Sequence, residues 1–229
     1  MIWWDRLLPL NFQRKRLLKH KSNTPLKQYL STPIPSGRQL INETEFLVVD
    51  IETSGLNPKV DHILSVGYTL IKHNRVILKD CTYSVIKQKA ELTNENVAIH
   101  QLTDSDVSRG AELKQVLDQL INDLAGRVLV AHHVTIELGF INAACKKIYD
   151  CELPLQVVDT FQIEKKRRQR HHQTIKANEL RLFNLRKEFG LPRYNAHNAL
   201  EDAIATAELL LVQSTQVCGD EQCSIRNLM

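Results

Sequence analysis

Asp50 and Glu52 stand one residue apart, directly after the apolar run Phe46-Leu47-Val48-Val49. A short apolar run of this kind reads as a buried strand, and along a strand positions i and i+2 share a face. Two carboxylates would then project together from a strand end. Like charges that close repel unless something neutralises them, and a divalent cation held by oxygen ligands is the usual solution. Alone, Asp-x-Glu is a common tripeptide on polar loops. Its place after an apolar run and before Thr53-Ser54-Gly55-Leu56 gives it weight.

Two further segments carry acids in suggestive settings. In His197-Asn198-Ala199-Leu200-Glu201-Asp202, a continuous helix would set His197 and Asp202 roughly 140° apart. With Asn198 as the N-cap and Glu201 at N3, His197 falls instead in the preceding loop. Helix chemistry alone also accounts for these residues, because Asn caps helices and acids favour a first turn. The other segment is Ala131-His132-His133-Val134-Thr135-Ile136-Glu137, where an apolar strand passes into a helix with Glu137 in its first turn.

The elements that must position these residues follow from periodicity. Residues 63–71 and 76–85 are rich in β-branched side chains and flank His73-Asn74-Arg75, which predicts a hairpin or meander. Leu113, Val116, Leu117, Leu120 and Leu124 recur at helical spacing up to Gly126. Strands are expected at 128–131 and 155–158, and helices at 138–148, 179–189 and 199–212. Strands come first and then alternate with helices, which predicts an α/β domain with a mixed sheet flanked by helices. The expected organisation is an arm and linker over residues 1–44, one domain over 45–212, and a loosely ordered tail over 213–229.

The 229 residues carry 43% hydrophobic and 24% charged side chains, values that exclude a mainly disordered chain. No apolar run approaches the roughly 18 residues of a membrane span. The net charge of +4 is unevenly divided. Arg6, Arg14, Lys15, Arg16, Lys19, Lys21, Lys27 and Arg38 face only Asp5 within the first forty residues, so the remainder is mildly acidic. This arm also holds Trp3 and Trp4. Two readings stand side by side: a contact to a protein partner, a membrane surface or nucleic acid, and simple packing of Trp3, Trp4, Leu7 and Leu8 onto the domain. The five cysteines lack metal-ligand spacing and suggest idle thiols, not a disulfide framework. Residues 1–12 contain Asp5, Arg6 and Pro9 and so lack the core of a secretory signal, making a cytoplasmic protein the expectation.

Taken together, the three acidic segments resemble the DEDDh branch of the DnaQ-like 3′–5′ exonucleases, including the proofreading epsilon-type and RNase T-type enzymes. Asp50-Ile51-Glu52-Thr53-Ser54-Gly55-Leu56 is similar to the family's first motif, and residues 197–202 to its third, His-x4-Asp. Val158-Asp159-Thr160 and residues 182–192 resemble intervening segments, so the likeness spans about 45–212. The middle motif departs from His-Asn-x-x-Phe-Asp: this chain has His132-His133-Val134-Thr135-Ile136-Glu137. Glutamate keeps the charge but extends it by about 1.5 Å.

The resemblance implies an RNase H-like fold and a hydrolase that uses two Mg²⁺ or Mn²⁺ ions. Asp50, Glu52, Glu137 and Asp202 would be the metal ligands and His197 the general base. Thr53, Leu56, His100 and Leu102 would hold the terminal nucleotide. It implies release of nucleoside 5′-monophosphates from 3′ ends of single-stranded DNA. The alternatives are an exoribonuclease acting on RNA, and a weakened nucleic-acid-binding module, to which Glu137 and His133 point. Asp159 reads as a helix cap. The run Lys165-Lys166-Arg167-Arg168-Gln169-Arg170-His171-His172 is a candidate backbone-phosphate contact or a solvated face.

Overall fold

The computed structural model describes residues 8–19, 24–88, 103–176, 178–194, 197–219 and 222–229. His100, Leu102, Trp3 and Trp4 lie outside the described residues.

Strand β1 (Phe46–Thr53) is buried along most of its length, as its continuous apolar run requires of a strand covered on both faces. It sits at the centre of a five-stranded sheet with order β3-β2-β1-β4-β5. Strands β2 (Ile63–Lys72) and β3 (Arg75–Val85) form the expected hairpin. Its two-residue turn places His73 and Asn74 at φ 51° and 55°, the positive values that suit the sheet's twist. β1 pairs antiparallel with β2, whereas β4 (Val128–Ala131) and β5 (Val157–Asp159) run parallel to it. The sheet is mixed, as expected.

Helices cover both faces. On one side lie α4 (Leu113–Asp123) and α5 (Thr135–Tyr149), packed on Leu47, Val49 and Ile51. On the other lies α8 (Ala199–Cys218), which meets Phe46, Val48 and Val130 through Ala207 and Leu210. Helices α1 (Leu10–Leu18), α2 (Thr24–Ser31), α3 (Asp104–Ser108), α6 (Thr160–Arg170) and α7 (Leu182–Glu188) complete the described α-helices.

Three expectations need correction. Part of the supposed arm belongs to the core: Leu26, Tyr29 and Leu30 of α2 are buried in the cluster that lines α4 and α5. The Tyr29 hydroxyl donates to the Pro154 carbonyl at 2.7 Å. Arg14, counted among the arm's basic residues, is buried over the Tyr29 ring at 4.3 Å and donates to the carbonyls of Tyr29 and Thr32. The tail is ordered too: α8 continues to Cys218, and Ile225 and Leu228 are buried beneath the sheet. Its backbone bonds to the segment before β1, with Ile225 N–H to the Gln39 carbonyl at 3.0 Å and Ile41 N–H to the Cys223 carbonyl at 2.9 Å. Finally, Cys218 and Cys223 form a disulfide across this closure, leaving Cys81, Cys145 and Cys151 as thiols.

Candidate active site

β1 delivers Asp50 and Glu52 to one side of the sheet, opposite Gly67 and Ser65 of β2. Asp202 arrives from the first turn of α8. Asn198 is the N-cap, its side chain accepting from the amides of Leu200 and Glu201 at 3.0 and 3.2 Å. His197 therefore lies ahead of the helix, as the spacing predicts, at φ 70°. Its side chain is exposed, and its backbone N–H donates to Asp202 Oδ2 at 3.1 Å. The histidine segment thus orients the acid through its main chain.

Gly67 makes this approach possible. A Cβ at Gly67 would lie 2.2 Å from the Leu200 nitrogen and 2.3 Å from the Ala199 carbonyl carbon. The helix start rests directly on the strand residue that pairs with Asp50. Sequence reasoning missed Gly67, although a glycine inside a strand pattern is the ordinary signal of close backbone approach.

Carboxylate atoms of Asp50, Glu52 and Asp202 all lie within 4.8 Å of one another. Glu137 is outside this group of three but belongs to the same electrostatic neighbourhood. Burial, then repulsion from Glu137, Asp202 and Glu52, drives Asp50 well above the usual carboxylate range. Burial, followed by Asp202, pushes Glu52 up to about 8. Burial raises Glu137 to about 8, with repulsion from Asp159 and Glu52 adding to it, and raises Asp202 to about 6. Several acids driven upward together by burial and mutual repulsion are the physical mark of a functional-site candidate.

The donor set fits divalent cations. Glu137 Oε2 and Asp202 Oδ1 are buried without a hydrogen-bond partner, an arrangement a protein interior rarely leaves uncompensated. Hard carboxylate oxygens are the ligands that Mg²⁺ and Mn²⁺ prefer.

Thr53 and Leu56 sit on the adjoining loop. The Thr53 hydroxyl donates to the Gly55 carbonyl at 2.7 Å, and Leu56 is 80% exposed at the loop's tip. Asp61 secures the loop by accepting from the Asn57 amide at 2.8 Å. It also packs where a Cβ at Gly55 would stand, 2.5 Å from Asp61 Oδ2. Nothing in the sequence set Asp61 apart.

The basic run divides in two. Arg167 pairs with Glu164 through two bonds at 2.8 and 2.9 Å. Arg168 is buried and binds Glu164, Glu179 and Glu188 at 2.8, 3.0 and 2.5 Å. Arg168 holds α6 to the segment carrying α7, Arg167 is bound within α6, and neither is a free phosphate contact. Lys166, Arg170, His171 and His172 remain exposed.

With this geometry in view, the exonuclease family profile matches residues 47–210. The chain belongs to the exonuclease family. The chain is 30% identical over 170 residues to the 3′-5′ exonuclease DinG of Staphylococcus aureus, covering 73% of this chain and 18% of that protein. It spans less than a fifth of the curated relatives it matches. Its fold superposes on E. coli Exonuclease I in complex with a dT13 oligonucleotide with a TM-score of 0.65 at 16% identity, over 75% of this chain and 41% of that one. The nuclease domain of 3′hExo, a DEDDh family member bound to rAMP, gives a TM-score of 0.65 at 15% identity, over 81% and 98% of the two chains. The fold of the chain is the RNase H-like fold of the DEDDh enzymes. Among its described residues no helix is long and apolar enough to cross a membrane.

Proposed function

We propose that the chain is a metal-dependent 3′–5′ exonuclease acting on single-stranded DNA. The observation that carries this reading is the convergence of Asp50, Glu52 and Asp202 within 4.8 Å, with orphaned buried oxygens on Asp202 and Glu137. Asp50, Glu52 and Asp202 would hold one Mg²⁺ or Mn²⁺ ion, and Asp50 with Glu137 a second. When bound, such a pair supplies charge stabilisation to the attacking and leaving oxygens of an in-line displacement.

The chain's own groups do the rest. The exposed His197 imidazole takes a proton from the attacking water, a task suited to the side chain that exchanges protons near neutral pH. Water adds to phosphorus, the bond to the 3′ oxygen breaks, and a nucleoside 5′-monophosphate leaves a strand shorter by one residue. Thr53 and Leu56 seat the terminal nucleotide, together with His100 and Leu102. Lys166, Arg170 and His172 guide the strand's phosphates.

The match to Exonuclease I with bound dT13 supports DNA, whereas the match to 3′hExo with rAMP supports an exoribonuclease as the second reading. DNA and RNA strands of one sequence, in Mn²⁺, separate the two. Faster release of deoxynucleoside 5′-monophosphates supports the proposal. Faster release of ribonucleotides replaces it with the second reading, and binding without release in any metal leaves a weakened binding module.

A further inference from the structure

Helix α5, which carries Glu137 in its first turn, has no cap of its own. Its N-cap residue Val134 offers no side-chain hydrogen bond. The residue before it, His133, stands at φ 69°. Histidine enters that left-handed region more readily than most side chains, as His73, His172 and His197 also do here, yet less freely than glycine, so a contact that fixes it there contributes to the turn. The end of β5 supplies that contact. Ala131 and Asp159 are register partners, and Asp159 Oδ1 accepts from His133 N–H at 2.9 Å as well as from Phe161 N–H at 3.0 Å. Thr160 joins the same clamp: its hydroxyl lies 3.3 Å from the Ala131 carbonyl and 2.9 Å from His132 Nδ1. The far side of the His132 ring reaches the Leu180 carbonyl at 2.8 Å. Three consecutive residues, 131–133, are thereby tied from outside immediately before the helix that presents Glu137.

We infer that Asp159 is a positioning residue, whose carboxylate holds His133 in the left-handed conformation and so fixes where the first turn of α5 places Glu137. The sequence reading of Asp159 as a helix cap accounts for only one of its two bonds. The second spans 26 residues and couples α6 to the catalytic turn. This inference rests on the proposed role of Glu137 as a metal ligand.

The test compares Asp159→Ala, Asp159→Asn, His133→Gly, the double variant His133→Gly with Asp159→Ala, and Glu137→Ala. Asparagine retains an oxygen that can accept both amides, and glycine adopts positive φ without restraint. Asp159→Ala should lower kcat and raise the Mn²⁺ concentration for half-maximal rate by about 10- to 100-fold, the range typical when support of a metal ligand is lost. KM should change little. In metal-free protein it should speed amide hydrogen exchange at residues 133–138. Asp159→Asn should stay within about threefold of wild type, and His133→Gly should restore most of what Asp159→Ala loses. Lower thermal stability with unchanged kcat, metal requirement and exchange would overturn the inference and leave Asp159 a helix cap. So would an Asp159→Ala defect that His133→Gly does not relieve. If Glu137→Ala itself retains full activity and metal requirement, the reading of Glu137 fails independently of the exchange result.

Discussion

Replacing Glu52 by Gln should stabilise the metal-free protein. Glu52 is buried among like charges, and its carboxyl rises from an ordinary 4.5 to about 8. At about 1.4 kcal/mol per tenfold, that separates the neutral and fully ionised limits by about 5 kcal/mol. The folded chain holds the proton more tightly than the unfolded one. Its stabilisation is therefore complete below about pH 4.5 and is lost as pH rises towards 8. At pH 7 the loss is already on the order of 3 kcal/mol. Glutamine keeps the shape and removes the ionisation, so metal-free Glu52→Gln should melt roughly 6–12 °C above wild type at that pH. The difference should vanish near pH 4. Mg²⁺ should raise the wild-type melting temperature most at pH 8, where the acids ionise most readily, and raise the variant's much less. Thermal unfolding with chelator and with Mg²⁺, from pH 4 to 8, measures all of this. A Glu52→Gln protein no more stable than wild type at pH 7 without metal would refute the view that burial, with repulsion from Asp202, disfavours the Glu52 charge in the fold.

Gly67→Ala should cut activity by at least tenfold, because the new Cβ falls 2.2 Å from the Leu200 nitrogen and must displace the helix start that carries Asp202; the exonuclease rate beside the Mn²⁺ requirement reports it. Arg168→Ala should cost about 1.5–3 kcal/mol in denaturant unfolding, because buried Glu164 then keeps only Arg167 while Glu179 and Glu188 lose their shared partner, without altering the salt dependence of strand binding. Joint replacement of Lys166 and Arg170 by Ala should do the reverse, reducing the slope of binding against salt while sparing stability. Leu26→Ala should destabilise the protein by about 2–5 kcal/mol, since Leu26 is buried in the main core; a change within about 0.5 kcal/mol would return α2 to the status of a free arm.

The residues whose meaning was local were the ones legible in the sequence. Asp50 and Glu52 follow a four-residue apolar run, and that run is the central strand. Asn198 caps its helix as the spacing requires, which leaves His197 ahead of the helix and Asp202 in its first turn. What escaped was set by contacts distant in sequence. Residues 24–31 look like part of a basic linker, yet Tyr29 reaches Pro154 across 125 residues. Arg168 looks like one more solvated charge until Glu179 and Glu188 come alongside. Asp159 reads as a cap because that bond is two residues away, while its bond to His133 depends on two parallel strands lying side by side. The disulfide was hidden for a related reason: Cys218 and Cys223 meet only because the chain turns back beneath the sheet after α8.

The central claim is that Asp50 and its neighbouring acids form a cation-dependent site for shortening strands from the 3′ end. A 5′-labelled single-stranded DNA oligonucleotide should be followed with Mg²⁺, with Mn²⁺ and with chelator, using wild type and Asp50→Ala. The expected result is a ladder that shortens one nucleotide at a time, only in metal and only with the wild-type protein. Cleavage that persists in chelator or in Asp50→Ala, or products that begin at the 5′ end, would contradict it.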